Sequence, residues 1–283
     1  MKSHFNIQHS GYGFLLIAYV VFIFGSTHQL PPLVHPADLP GSVVLPAPLQ
    51  TVIYMGDPFL AANVEAARVL ATGGPAAGIA QDYFDRLHRT VAVLNACHED
   101  NYYVANALLA WAGSVDSAIA VLQGATDCRF WDEMAPFYLG YNLNFFRHEH
   151  LKAKEALFQA AARSADNSAA FMRMGILYEA DTYPDLHLAQ KFLVAQRDQA
   201  RDPVLKQLLD QRIGRLAGLI ILRDAQAVYE KRVGGFLKDP NLLISIGILK
   251  QFPTDPVRMG YVFENGQFAL REIKMRAMEG TKQ

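Results

Sequence analysis

The chain has 283 residues, of which 51% are hydrophobic and 19% charged, and its formal net charge is −1. That length supports one large or one elongated domain with a substantial core. The near-neutral balance argues against a nucleic-acid binder, which carries a basic excess or patch, and no like-charge run or low-complexity tract marks a long disordered tail.

The first element in chain order is "GYGFLLIAYVVFIFG", Gly11 to Gly25, which carries no charge; none appears between Lys2 and Asp38. The run is short of the roughly 17–25 residues a membrane span needs, and uncharged flanks from Ile7 to Leu30 make up the length. Residues 1–10 then read as a cytoplasmic N-terminus and 11–30 as a transmembrane anchor. A cleaved signal peptide is the rival reading, with a positive end, a short apolar run and the small residues Gly25 and Ser26. No Ala-x-Ala-like site follows, and no cysteine offers a lipid attachment point. Lys2 precedes the span and the next Lys or Arg is Arg68. Positive-inside reasoning therefore puts the bulk of the chain on the non-cytoplasmic side, the periplasm of a bacterium, with the anchor in the inner membrane.

Residues 27–50 hold six of the fourteen prolines. Repeated proline prevents helix and sheet, so 31–50 reads as an extended stalk holding a body off the membrane. His28 and His35 lie in that stretch without convergent partners and read as solvated.

From residue 51 a period emerges. Ala105, Gly140 and Gly175 recur at a 35-residue step, as do Leu108, Leu143 and Tyr178. Ala118, Ala153 and Ala189 follow at 35 and 36, and Leu122, Leu157 and Leu193 keep those spacings. Fixed periods of this size mean stacked supersecondary units. Each unit divides into two helical patterns: a first helix with a small residue midway, and a second with Ala and Leu four apart on one face. The breaks "AGS", "RHEH" and "DTYP" separate them, and Asp57-Pro58 is a helix entry for a divergent preceding pair. Neither helix of a pair can bury its stripe alone, so successive pairs must stack.

The segments "YLGYNL" with "AKEALFQAA", and "RMGILYEA" with "AQKFLVAQ", resemble the tetratricopeptide repeat family in their small-residue, aromatic and Ala-rich pattern. The likeness covers residues 99–199, with one or two extra residues at the inter-helix turn and without the motif's terminal proline. It implies an all-α helical repeat array over 51–200; a plain helical bundle is the alternative, since periodicity does not fix the stacking. Residues 201–235 read as one long helix capping the array, bent at Gly214 or Gly218. Residues 236–283 form a small C-terminal segment, where alternating runs about Asn265-Gly266 signal a β-hairpin. The passage from Tyr229 to Gly266 is similar to the C-terminal segment of some bacterial envelope proteins, including pseudopilin-like ones. Those continue Asp-Pro with Trp-Gly, where this chain has Val257-Arg258-Met259-Gly260.

Catalytic and cofactor motifs are missing from the sequence. "CHED" at 97–100 sends successive side chains in different directions and serves better as a helix start, with Glu99 and Asp100 favourable to the dipole. "HEH" at 148–150 lacks the i, i+4 spacing of a zinc helix. The sequence thus points to no enzyme, cofactor or metal. It points instead to protein or peptide binding by the first-helix surface, since "MAPFYLGYNLNFF" is apolar almost all round, beyond what stacking needs. The repeat register implied by the resemblance places Tyr102, Asn106, Phe137, Tyr141, Asn144, Phe145, Met172 and Glu179 on a concave groove. Aromatic and amide side chains together suit peptide recognition; packing against the long C-terminal helix is the alternative use of the same residues. A membrane-tethered scaffold or adaptor is the first functional reading, and a structural subunit of a pilus, secretion or respiratory-type envelope assembly is the second.

The only cysteines, Cys97 and Cys128, lie 31 residues apart, close to one repeat. Stacked repeats bring equivalent helix starts side by side, near the 4.4–6.8 Å Cα separation typical of a disulfide. A non-cytoplasmic compartment would permit oxidation, so a Cys97–Cys128 disulfide is expected, with two free thiols as the alternative.

Overall fold

The computed structural model of the protein describes residues 17–20, 43–71 and 81–271. In chain order these form α1 (Ala47–Ile53), α2 (Pro58–Ala71), α3 (Gln81–Leu94), α4 (Glu99–Leu108), α5 (Val115–Cys128), α6 (Met134–Arg147) and α7 (His150–Arg163). Then come α8 (Ser168–Ala180), α9 (Leu186–Gln199), α10 (Pro203–Val233), α11 (Leu242–Ser245), β1 (Tyr261–Glu264) and β2 (Gln267–Leu270). Consecutive helices pack on one another in sequential pairs. The first helices α4, α6, α8 and α10 also lie side by side in one layer, while α3 and α5 touch in the other.

Local chemistry sets these boundaries. Asp57 opens α2 by accepting from the Phe59 and Leu60 N–H groups at 2.9 and 3.0 Å, and Pro58 takes a first-turn position that needs no donor. Asp185 and Asp202 cap α9 and α10 in the same way. The α6–α7 turn needs a left-handed residue, which His148 supplies at φ 55°. As the sequence suggests, "CHED" falls at a helix start, with His98 as the cap of α4.

The glycine register has a steric cause. A Cβ on Gly140 would sit 2.8 Å from Leu157 Cγ and 2.9 Å from the Ala153 carbonyl oxygen, so α6 lies directly on its own partner, α7. Gly175 does something different. Its absent Cβ leaves room for Phe158 of the preceding α7, at 3.0 Å. The third unit is therefore opened: α8 packs more closely on α7 than on α9, and α9 packs chiefly on α10.

The two largest core clusters among the described residues follow from this packing. One runs through α3 to α7, around Phe84, Leu122, Leu139 and Ala153. The other gathers α8 to α11 and the hairpin, around Leu193, Leu209, Leu222 and Phe268. The long helix α10 runs unbroken through Gly214 and Gly218, where the sequence suggested a bend. Those glycines admit the C-terminal segment instead. Pro256 lies against Gly214, and a Cβ on Gly218 would overlap the Tyr261 hydroxyl. Asp255 completes the attachment: Arg215 Nε donates to Oδ2 at 3.1 Å, and the Val257 and Gly260 N–H groups donate to the same carboxylate. Arg223 and Gln226 donate to the Phe268 and Gly266 carbonyls. The hairpin itself pairs Tyr261 with Leu270, and its turn residues Asn265 and Gly266 both have positive φ, as a two-residue Asn-Gly loop requires.

The expected disulfide is present: Cys97 and Cys128 are bonded, with 5.3 Å between Cα atoms. Cys128 is the last residue of α5 rather than part of a loop before a first helix. The bond thus closes the α4–α5 hairpin at its open end. Such bonds persist in oxidising compartments, and the pair points to an extracytoplasmic location.

Two N-terminal expectations stand differently. The N-terminus 1–10, the anchor 11–30 and the first part of the stalk, 31–42, lie outside the described residues, except for residues 17–20, which are helical and exposed. Among the described residues no helix is long and apolar enough to cross a membrane. The rest of the stalk is corrected. Residues 43–50 do not stand free: Pro46 starts α1, and Gln50 is buried, donating to Leu45 O at 2.8 Å and Glu65 Oε1 at 2.6 Å. Proline fits here because it begins a helix rather than breaking one.

Candidate functional site: an aromatic face on the first-helix layer

Helix α6 fixes the geometry. Its Leu139 and Leu143 side looks toward α5 and α7, where those residues line a cleft of about 310 Å³ with Ile119, Gln123 and Ala156. Gly140 faces α7. Tyr141 and Phe145, four residues apart, occupy the opposite side, as a 3.6-residue period demands. Their rings stack in parallel at 5.5 Å. Phe145 also touches Trp111, which follows α4, at 5.4 Å, and Trp111 meets Phe146 edge-on at 5.2 Å. Trp111 and Phe145 remain 46% and 38% exposed, so this cluster presents apolar area outward rather than sealing a core. Nearer the helix starts, a second row runs from Tyr103 to Tyr138 at 5.5 Å, on to Phe137 at 5.3 Å and to Phe171 at 5.0 Å.

The eight residues expected in a groove divide three ways. Tyr141 and Phe145 lie on the aromatic face, and Phe137 is half-buried in the second row. Asn106 is half-buried and accepts from Asn142 Nδ2 at 2.7 Å, which leaves its own amide N–H₂ as the available donor. Met172 is half-buried between two apolar clusters. Asn144 is engaged in the turn, where its Oδ1 meets His150 Nδ1 at 2.7 Å.

One expectation is overturned. Tyr102 is only 1% exposed and donates its hydroxyl to Asp132 Oδ2 at 2.6 Å. Glu179 is half-buried and pairs with Lys154 of α7. Equal register thus does not give equal exposure. The position that is half-open at Phe137 is closed at Tyr102.

Trp111, Tyr103 and Tyr138 are site residues that the sequence reading missed. The signal was available: Tyr103 and Tyr138, and likewise Trp111 and Phe146, are separated by the same 35 residues as the glycines.

Burial pushes the phenols of Tyr138, Tyr141 and Tyr178 upward, so all three remain neutral hydrogen-bond donors across the physiological range. The face therefore offers flat apolar rings with neutral O–H and amide groups. It offers the apolar and hydrogen-bonding groups that a peptide or protein surface can engage. Among the described residues no group of His, Cys, Asp and Glu side chains could hold a metal ion.

Beside the site, charged groups lock the helix starts. Arg129 donates to Asp132 at 2.7 Å, to Glu99 at 2.8 Å and to the Cys97 carbonyl at 3.1 Å. Arg163 donates to the carbonyls of Thr126, Arg129 and Asp132. Burial opposes ionisation of Asp132. Its bonds from Tyr102, Arg129 and the Met134 N–H outweigh that and hold the carboxyl below its usual range.

No protein-family model, curated protein or solved structure matches the chain.

Proposed function

We propose that this chain is a tetratricopeptide-like scaffold or adaptor, tethered to a membrane by its N-terminal segment, that holds a protein or peptide partner on the aromatic face of its repeats. The observation that carries this reading is the Trp111–Phe145–Tyr141 cluster. Large rings left partly open beside amide groups supply the anchor chemistry of a binding hot spot. The Cys97–Cys128 disulfide supports an extracytoplasmic setting for that partner. Protein interaction is the reading favoured because partly open rings stand beside neutral phenol and amide donors, among them the Asn106 amide.

A second reading, a structural subunit of a larger envelope assembly, is favoured by a different observation. Phe130 and Trp131 form an edge-on pair on the α5–α6 loop with 73% and 57% of their surface exposed. That pair lies away from the aromatic face, and a subunit with several permanent interfaces would carry such patches.

The test is affinity purification of the detergent-extracted native chain beside two variants, Phe145→Ala with Tyr141→Ala, and Phe130→Ala with Trp131→Ala. The adaptor reading expects a discrete partner that is lost on the first pair of changes and kept on the second. Loss only on the second pair overturns it in favour of the assembly subunit.

A further inference from the structure

Helix α1 is inside out. On a helical projection Leu49, Val52 and Ile53 share one side, and that side faces outward; they are 47%, 73% and 54% exposed. The one strongly polar residue of α1, Gln50, points inward and is 2% exposed. It donates to Glu65, itself buried and held by Arg68 at 2.8 Å, while Arg68 also donates to the Tyr83 hydroxyl at 2.9 Å. A surface helix in water shows the reverse pattern. The inversion continues into the next turn. Met55 stands at its tip, 98% exposed, on a backbone with φ 56° that a non-glycine residue rarely adopts. Phe59 and Leu60 follow on the first turn of α2, 61% and 47% exposed, with their N–H groups tied down by Asp57. Six large apolar side chains thus project from one rigid corner of the body, held from behind by a buried polar network.

We infer that this corner is a membrane foot, which seats the folded body directly on the lipid interface. Three observations select a bilayer over a protein as its occupant. From Ser3 to Gly56 the sequence has a single charged residue, Asp38, so the corner continues an almost uncharged chain that includes the apolar run Gly11–Gly25. Leu49, the first side chain of the foot, lies only 24 residues after Gly25 at the end of that run, so chain that enters a bilayer there re-emerges beside it. Finally, Arg89 and Arg86, the latter paired with Asp82 at 3.0 Å, line the cleft of about 330 Å³ formed with Val44, Leu45, Pro46 and Val93 at the edge of the corner. Cationic groups bordering an exposed apolar face are the arrangement that meets anionic headgroups above acyl chains. The foot would fix the height and orientation of the array, where a free stalk would leave it to swing. The inference takes from the proposed function only the membrane at the N-terminal side, and needs no protein partner.

The experiment reconstitutes the full chain into phosphatidylcholine–phosphatidylglycerol vesicles whose acyl chains carry bromine, which quenches tryptophan on contact. Met55→Trp and, as an independent probe, Val52→Trp report on the foot; Val228→Trp on α10 is the control. The expected result is that each foot probe loses about half its added emission, as for side chains lying about 5–10 Å into the headgroup and acyl boundary, while the control loses none. Val52→Asp with Met55→Asp should then restore water-like exposure of a Phe59→Trp probe. Two outcomes with the chain in the vesicle fraction overturn the foot. A blue-shifted but unquenched probe means a protein surface or a second copy covers the corner, and a water-like unquenched probe means nothing does. A chain that fails to sediment with the vesicles overturns the foot and the membrane tether together, and leaves partner binding on the aromatic face to its own test.

Discussion

Three glycine-to-alanine changes measure the packing of the array. Alanine in a helix interior is favoured over glycine by about 1 kcal/mol, so any departure from that gain reports on the space around the new methyl. At Gly124 the methyl would meet only the Ala96 Cβ at 3.7 Å, an ordinary contact, so Gly124→Ala should stabilise by about 0.5–1 kcal/mol. At Gly175 it would press on the edge of the Phe158 ring at 3.0 Å, a side chain that can shift a few tenths of an ångström, and on the Lys154 carbonyl oxygen at 3.3 Å, a milder backbone contact than at Gly140, so the propensity gain should be largely offset and the change close to neutral. At Gly140 it would meet the Ala153 carbonyl oxygen at 2.9 Å as well as Leu157 Cγ at 2.8 Å. Backbone cannot step aside cheaply, so overpacking costs about 1–3 kcal/mol and outweighs the propensity gain. Gly140→Ala should therefore melt below the parent by on the order of a few degrees, and Gly140→Leu lower still. The assay is thermal and urea unfolding followed by far-ultraviolet circular dichroism, with calorimetry to check that the array unfolds as one unit. If Gly140→Ala proves as stable as Gly124→Ala, the direct seating of α6 on α7 is wrong.

Replacing Cys97 and Cys128 together by Ser should lower stability by up to about 3–4 kcal/mol in the chain-entropy account, while helicity survives because Arg129 and Tyr102 still clasp the hairpin. Alkylation of unreduced protein from its native membrane, read by mass spectrometry, should find neither thiol free. Burial lowers the affinity of His88 for protons despite its bond to Asn101. A depressed folded value means stability is complete above the usual 6.5 and falls as pH drops below it; His88→Gln should flatten that fall in urea titrations. Asp132 adds a second loss below its usual 3.8, which Asp132→Asn should remove from the same acid titration. Asn144→Ala, which breaks the contact to His150, should cost about 1 kcal/mol in urea unfolding and leave partner capture intact.

Much of this architecture is legible in the sequence because it rests on sterics with a fixed period. Gly140 and Gly175 mark close approach, Asp57, Asp185 and Asp202 mark helix entries, Asn265-Gly266 marks the turn, and the cysteine pair is bridged. What the sequence hides is how each unit is stacked and buried. A 35-residue register says that Tyr102 and Phe137 are equivalent, but only the stacking reveals that one is sealed against Asp132 while the other is half-open. For the same reason Gly175, equivalent to Gly140 in register, serves a different helix. The end of the proline-rich stretch misled for a local reason: Pro46 and Pro48 suit a first helical turn as well as an extended chain. Which way α1 turns its apolar side depends on the burial of Gln50 against Glu65, a contact across 15 residues that periodicity does not encode.

Partner binding on the face carrying Tyr141 and Phe145 is open to a direct test by site-specific photocrosslinking. A benzophenone amino acid would replace Tyr141 in the full chain, with a control at Leu188 on α9, and cells would be irradiated before extraction. One discrete adduct is expected from position 141, abolished by Trp111→Ala with Phe145→Ala and absent from position 188. No adduct at 141, or the same adducts from both positions, would contradict partner binding on this face.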